Sequence, residues 1–292
     1  MLFSNGTTRL WLLHMGTYPP PTVHPPRGSL PVLLSIPHAG REYDASIVAN
    51  AAQGQRSLEA LEDPLVDRLA WRAIGAGLGA VVQLVPRAVI DCNRDEHEVD
   101  PGAIAGISPS PVGPRARYGL GLIPSRTHRH GALWRRPINQ AELARRVAEI
   151  HRPYHDALTA ALTALVLHFG EALLIDCHSM PTRPGQADIV IGDRHGSSAA
   201  SWVTDEAARL VRAAGCSASL NDPYAGGAII ARHGRPQDGV HAIQLEIDRS
   251  TYLSRDVRSA GVGFDRMASL VEHLSLGLGQ ALADRCLRDA AE

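Results

Sequence analysis

Ala172-Leu173-Leu174-Ile175-Asp176-Cys177-His178-Ser179 is the stretch on which the fold turns. Its apolar run starts just after Gly170 and ends in polar residues, the pattern of a short strand buried on both faces. Gln140 to Phe169, before it, has the spacing of a long amphipathic helix, disturbed at Pro153 and closed by Gly170. A helix feeding a buried strand predicts an α/β sheet, and the same alternation recurs outward in both directions. Upstream, Pro31-Val-Leu-Leu-Ser-Ile-Pro37 reads as a buried strand stopped by proline. Residues 57–78 carry Leu58, Leu61, Leu65, Leu69 and Ile74 at helical spacing, followed by a strand at 81–85. Ala88 to Cys92 reads as a third strand or as a continuation past Pro86. Downstream, strands are predicted at Asp188–Gly192 and His241–Ile247, and a helix at Ser201–Ala214. A terminal helical segment over 256–289 is expected to break near Gly277. Helices and short Val/Ile/Leu strands in turn imply a sheet covered on both faces.

Two regions stand outside this pattern. Residues 1–29, with the proline-rich run from Pro19 to Pro26, read as an irregular lead-in. The rest, 30–292, reads as a single domain with a Gly/Pro/Arg-rich loop insertion at about 100–137. The 292 residues are 45% apolar, enough for a large buried core, and 29 basic against 30 acidic residues leave a net charge of −1. That balance argues against a nucleic-acid coat or an anionic-membrane binder, because both carry a basic surplus. All the basic residues are Arg, a bias that a GC-rich genome produces. The four cysteines lie far apart with no CxxC pair, as expected of reduced thiols in a cytoplasmic protein. The apolar patch Leu10–Leu13 lacks a basic lead, so no signal peptide is expected, and no apolar run is long enough for a membrane span.

Polar residues follow several predicted strands directly: His38, the Asp91/Asn93/Arg94 group, His178 and Glu246. Open α/β sheets build their sites beyond strand ends, so these positions point to one pocket. Either imidazole alone reads as a hydrogen-bonded structural residue. Two of them from separate strands, with a carboxylate, form the His₂–carboxylate set of zinc hydrolases, which keeps one position open for water. Glu246 lies in an apolar strand, so it is either a general base beside such a metal or the partner of a structural Arg. Asn93 and Arg94 offer a fork that suits a substrate carboxylate, and equally a strand-end salt bridge. Asp91 can hold that Arg or orient a ligand histidine, and Arg87 can reach the same pocket. His151 and His155 have i,i+4 spacing but no HExxH glutamate, which favours packing and polar anchoring. His128 and His130 read as solvated surface, and Gly226-Gly227 as a tight turn with close backbone approach.

Several segments together resemble the N-formylglutamate amidohydrolase (deformylase) family. They are Pro37-His38-Ala39-Gly40, Arg87 through Arg94, Pro153-Tyr154-His155, Leu174 through Pro181, Asp188 through Arg194, Asn221 through Gly227 and Gly239 through Glu246. The match runs in order from about residue 31 to 255. The family is distantly similar to zinc carboxypeptidases and aspartoacylases. The resemblance therefore implies a three-layer α/β/α sandwich with a mixed central sheet, zinc-carboxypeptidase and phosphorylase/hydrolase-like. It implies one zinc ion on His38 and His178, Arg87 polarising the scissile carbonyl, and Glu246 acting as base and then acid. Asn93 and Arg94 would grip a substrate carboxylate, helped by arginines of the 115–136 loop, Arg136 among them. Asp91 and Asp176 would orient the ligand histidines. The remaining zinc ligand departs from the HxxE of the carboxypeptidases, because Arg41 stands three residues after His38. Asp63, at the position where the family carries an Asp, is favoured over Glu42. The expected activity is zinc-dependent removal of an N-formyl, or similarly small N-acyl, group from an acidic amino acid such as glutamate. The expected partner is that small molecule, with neither nucleic acid nor membrane involved. A deacylase of a different small N-acyl amino acid, or a non-catalytic binding protein on the same fold, are the alternatives.

Overall fold

The computed structural model describes residues 18–107 and 113–289. The Leu10–Leu13 patch, the start of the lead-in and part of the long loop lie outside the described residues. In chain order the first half contains β1 (Thr22–His24), β2 (Val32–Ile36), α1 (Ala45–Asn50), α2 (Gln55–Glu59), α3 (Val66–Leu69), α4 (Trp71–Gly75) and β3 (Gly79–Val82). The long loop carries α5 (Pro114–Arg117) and a small hairpin of β4 (Arg126–Thr127) and β5 (Gly131–Ala132). After it come α6 (Gln140–Arg146), α7 (Arg152–Phe169), β6 (Ala172–Met180), β7 (Ile189–Gly192) and α8 (Ser201–Ala213). The chain then forms β8 (Ala218–Leu220), α9 (Ala228–His233), β9 (Val240–Asp248) and α10 (Phe264–Asp289).

Seven strands form one mixed sheet in the order β1-β3-β2-β6-β9-β7-β8. The middle four, β3, β2, β6 and β9, run parallel, whereas β1 and β7 pair antiparallel to their neighbours β3 and β9. Side chains alternate between faces along each strand, and the core divides accordingly. Leu173, Ile175 and Cys177 of β6, with Ile243, Leu245 and Ile247 of β9, pack under α3, α8 and α10. Ala172 and Leu174, with Val240 and Ala242, face the opposite layer of α7 and α9 through Leu158, Leu162, Ile229 and Ile230. This is the three-layer α/β/α sandwich with a mixed central sheet.

Several local expectations need correction. The lead-in is not wholly irregular: Thr22–His24 pairs with β3 at the sheet edge, where flanking prolines cost no ladder bonds. Residues 57–78 form three short helices, not one, because Pro64 disfavours helix at Asp63 and Leu65 takes a left-handed φ of 62°. Ala88–Cys92 is no strand: its turns carry Asp91 towards the sheet ends. α10 passes Gly277 unbroken, since that glycine makes room for Leu210 of α8, whose Cδ1 would lie 2.9 Å from a Cβ there. Between α6 and α7 the chain widens into a π turn over Val147–His151, just ahead of Pro153, which has no N–H to give the helix ladder. Among the described residues no disulfide forms, and no helix is long and apolar enough to cross a membrane.

Candidate active site

The stripe of β6 and β9 that faces α7 changes character along its length. It begins with Ala172, Leu174, Val240 and Ala242 and ends with Asp176, His178, Gln244 and Glu246. Strand register sets Asp176 opposite Gln244, and His178 opposite Glu246, at the carboxyl end of the parallel strands. His178 and Glu246 thus lie inside their strands rather than beyond them. His38 arrives from the loop after β2, and the break at Asp63-Pro64 turns Asp63 inward to meet it.

Three atoms converge. His38 Nδ1 and His178 Nδ1 each lie 3.0 Å from Asp63 Oδ2, and 3.1 Å from one another. All three residues are buried. Each imidazole gives its Nε2–H to a carboxylate, His38 to Asp91 Oδ1 and His178 to Asp176 Oδ2, both at 2.8 Å. That fixes the tautomers and aims two nitrogen lone pairs and a carboxylate oxygen at one point, an arrangement that needs a positive charge between them. Ligand atoms about 3.3 Å apart are what tetrahedral zinc with bonds of about 2.0–2.1 Å requires, close to the observed triangle. The donor set therefore fits a zinc ion. In the protein alone a proton answers the same demand. Burial works against the charge on His178, yet Asp176 and Asp63 outweigh it and hold the imidazole well above its ordinary range. Burial likewise opposes the Asp63 anion, and the two histidines overcome it, leaving its carboxyl well below the usual range.

Behind the triad lies a tier of buried support. Ser35 Oγ donates to Asp176 Oδ1 at 2.7 Å and itself accepts from the Tyr154 hydroxyl at 2.8 Å. Asp91 accepts the Asn93 backbone N–H and the Arg87 Nε–H, each at 2.9 Å. Burial raises the cost of its charge, but Arg87, Arg94 and His38 keep its carboxyl well below the ordinary value. Arg249 bonds the free oxygen of Asp63, Oδ1, at 3.1 Å and also holds Ser179 Oγ, so Asp63 presents only Oδ2 to the centre. Glu246 Oε1 accepts from Gln244 Nε2 at 2.8 Å. Burial pushes the Glu246 carboxyl up to about 7, with His178 and Arg87 pulling against it.

The remaining expected residues divide. Asn93 is fully engaged: its Nδ2 donates to Gln244 Oε1 at 3.2 Å and its Oδ1 accepts the Ile229 N–H at 3.0 Å. A Cβ on Gly227 would fall 2.2 Å from that Oδ1, which bears out the close approach expected of the Gly226-Gly227 turn. Arg94 is buried, its Nε on the Leu120 carbonyl at 2.7 Å and its Nη1 on the Asn93 carbonyl at 2.6 Å. Arg136 does not reach the cleft: Asn50 bonds its backbone N–H and C=O, and its side chain is exposed. Arg115 and Arg126 line the cleft from the same loop instead. Glu42 is exposed and borders a different cavity, so Asp63 is the carboxylate brought to the histidines. His151 and His155 are anchors, donating to the Arg94 and Cys92 carbonyls at 2.9 and 3.0 Å. Ser35, Gln244 and Arg249 were not singled out from sequence, and Tyr154 was named there only within the Pro153-Tyr154-His155 segment of the resemblance. Ser35 is signalled there as the lone polar residue in an apolar strand, and Gln244 by sharing a face with Glu246. Arg249 leaves no such trace.

The triad, Glu246 and Arg87 share a cleft of about 510 Å³ with a wall of further arginines. The family profile described as N-formylglutamate amidohydrolase matches residues 30–253. The chain belongs to the N-formylglutamate amidohydrolase family. N-formylglutamate deformylase of Pseudomonas aeruginosa is 30% identical over 237 residues, 78% of this chain and 84% of that protein. The N-formylglutamate deformylase of Pseudomonas putida is 31% identical, covering 78% of this chain and 83% of its own length. The crystal structure of N-formylglutamate amidohydrolase from Ralstonia eutropha superposes with a TM-score of 0.81 at 32% identity, over 92% of this chain and 99% of that one. All the residues converging on the cleft, His38 to Arg249, fall within the span that the family profile covers.

Proposed function

We propose that the protein hydrolyses the N-formyl amide of N-formyl-L-glutamate, or of a close N-acyl acidic amino acid, releasing formate and the free amino acid. His38, Asp63 and His178 would hold a single zinc ion. The observation that carries this reading is the convergence of two tautomer-locked Nδ1 atoms and one Asp63 oxygen beside a raised Glu246. The relatives named N-formylglutamate deformylase supply the substrate class. A zinc ion on this triad supplies a Lewis acid that polarises the acyl carbonyl and acidifies the attacking water.

The chain's own residues supply the rest. Glu246 takes the proton of the attacking water and hands it to the nitrogen as the C–N bond breaks. Gln244 keeps the Oε1 of that carboxylate occupied, which leaves Oε2 to move the proton. Arg87, anchored through Nε to Asp91, keeps its two Nη groups for the negative charge that develops on the carbonyl oxygen. Arg94 and the arginines of the cleft draw in an anionic substrate.

The test is a substrate profile with metal quantified in the same preparation, using N-formyl, N-acetyl and formimino derivatives of Glu and Asp. Formate and glutamate released in step with about one zinc per chain is the expected result. A preference for another acyl group reassigns the substrate. No turnover on any of them, with no zinc bound or recruited, leaves a binding protein.

A further inference from the structure

We infer that Arg115 and Arg183 are the specificity-determining residues of the cleft, one for each carboxylate of a glutamyl substrate. The inference rests on the deformylase reading above and deepens it. Six arginines line the cleft: Arg87, Arg94, Arg115, Arg126, Arg183 and Arg249. Four of them are committed to the protein. Arg87 is held by Asp91, Arg249 by Asp63 and Ser179, Arg94 by two backbone carbonyls, and Arg126 by the Arg117 carbonyl. The guanidiniums of Arg115 and Arg183 make no hydrogen bond or ion pair among the described residues. An uncommitted guanidinium on a cleft wall keeps its planar fork of donors for a ligand, and a carboxylate is its bidentate match.

Charge counting gives the same answer. Among the described residues the only carboxylates lining the cleft are Asp63 and Glu246, and the proposed chemistry uses both. Arg115 and Arg183 are then two positive charges with no protein counter-charge among the described residues, which the two carboxylates of a dianion match one for one and a monoanion does not. The two free arginines also stand at different depths. Arg115, on α5, is half-buried and close enough to Arg94 for the two cations to repel; burial brings Arg94 down to about 10 against the pull of Asp91, with Arg87 and then Arg115 adding to the fall. Arg94 lies 3.7 Å from Asp91, the carboxylate that orients His38, so this pair is on the deep side of the cleft. Arg183 follows Pro181 beyond the end of β6 and is exposed at the mouth. The α-carboxylate is fixed to the carbon that bears the scissile nitrogen and must stay near the reacting atoms, which assigns it to Arg115 beside Arg94. The side-chain carboxylate is carried outward by two methylenes, which assigns it to Arg183.

Steady-state kinetics of the wild type, Arg115→Gln and Arg183→Gln would be compared on N-formyl-L-glutamate, N-formyl-L-glutamine and N-formyl-L-isoglutamine. The last two lack the side-chain and the α-carboxylate charge respectively. Arg183→Gln is expected to cut the glutamate-over-glutamine ratio of kcat/KM by about tenfold or more, through KM. Arg115→Gln is expected to cut the glutamate-over-isoglutamine ratio instead, and Arg183→Lys to recover part of the first loss. Zinc content and the thermal midpoint of each variant verify an intact fold. Ratios that stay at the wild-type value in both variants overturn the assignment while leaving the deformylase reading in place. A wild type that cleaves none of the three removes that reading, and this inference with it.

Discussion

Glu246 is the residue on which the proposed chemistry depends, and its environment sets both its proposed role and its pH response. Its carboxyl lies in an apolar strand, and burial lifts it from 4.5 to about 7. A base works only when ionised, so kcat/KM must fall as the pH drops through the Glu246 pKa. A cation on the neighbouring triad favours the carboxylate, so this acid limb falls below about 7. Glu246→Gln keeps the size of the side chain while removing the proton acceptor. The variant should fold, hold zinc in the wild-type ratio and lose turnover by about 10²–10⁴. A loss of less than tenfold at saturating zinc would remove Glu246 from the mechanism. At this scale the sequence was informative where a residue broke its local pattern. A glutamate inside Ile243-Gln244-Leu245-Glu246-Ile247, and histidines beside proline and cysteine at strand ends, are costly unless they have work to do. Arg136 misled because an arginine in a long loop shows nothing of its direction, and here the bonds from Asn50 fix its backbone outside the cleft.

The α6–π–α7 segment shows what one element contributes from behind the site. Its wide turn brings His151 and His155 onto the carbonyls of Arg94 and Cys92, while His233 of α9 bonds His155 Nδ1 at 2.9 Å. These imidazoles are neutral by construction. Burial, reinforced by neighbouring cations, lowers His155 to about 2 and His233 to about 4, and lowers His151 as well. The unfolded chain takes up these protons near 6.5 and the folded chain does not. The stability they contribute is therefore complete above 6.5 and is lost as the pH falls below it, towards and through the folded values. Thermal midpoints measured between pH 7 and pH 5 should drop in the wild type. The drop should be shallower in His233→Gln and in His155→Gln, each of which removes one such proton site. Equal slopes in all three proteins would show that acid lability comes from elsewhere. The helix over 140–169 was legible in its periodicity, and Pro153 marked where it would yield. The reading of 57–78 as one helix failed because its leucines keep helical spacing across Asp63-Pro64. The chain breaks there to deliver Asp63, a tertiary demand that periodicity does not record.

Across the whole molecule, the sheet order was out of reach of local pattern, whereas the buried strands β2, β3, β6, β7 and β9 and their polar ends were not, although Ala88–Cys92 was wrongly added to them. Nothing in Pro31–Ile36 or His241–Ile247 says that each flanks Ala172–Met180, because pairing between distant segments is decided by the fit of both faces at once. Once that order is in place, the triad joins three otherwise separate parts: the loop after β2, the break between α2 and α3, and the end of β6. A cation that binds this assembled set and not the unfolded chain must stabilise the whole fold by mass action. The gain is about 2.7 kcal/mol when free metal is a hundredfold above its dissociation constant. For a chain of 292 residues that corresponds to a midpoint shift on the order of 4–5 °C. Chelation should lower the thermal midpoint by that order, and added zinc should restore it. Glu246→Gln should retain the zinc-dependent shift because it leaves the ligand set whole. His178→Asn should lose it, because only two of the three converging atoms remain. A wild-type midpoint indifferent to chelator and to zinc would make the triad a buried hydrogen-bonded cluster. The tautomer-locking carboxylates Asp91 and Asp176 would then have a structural role and no catalytic one.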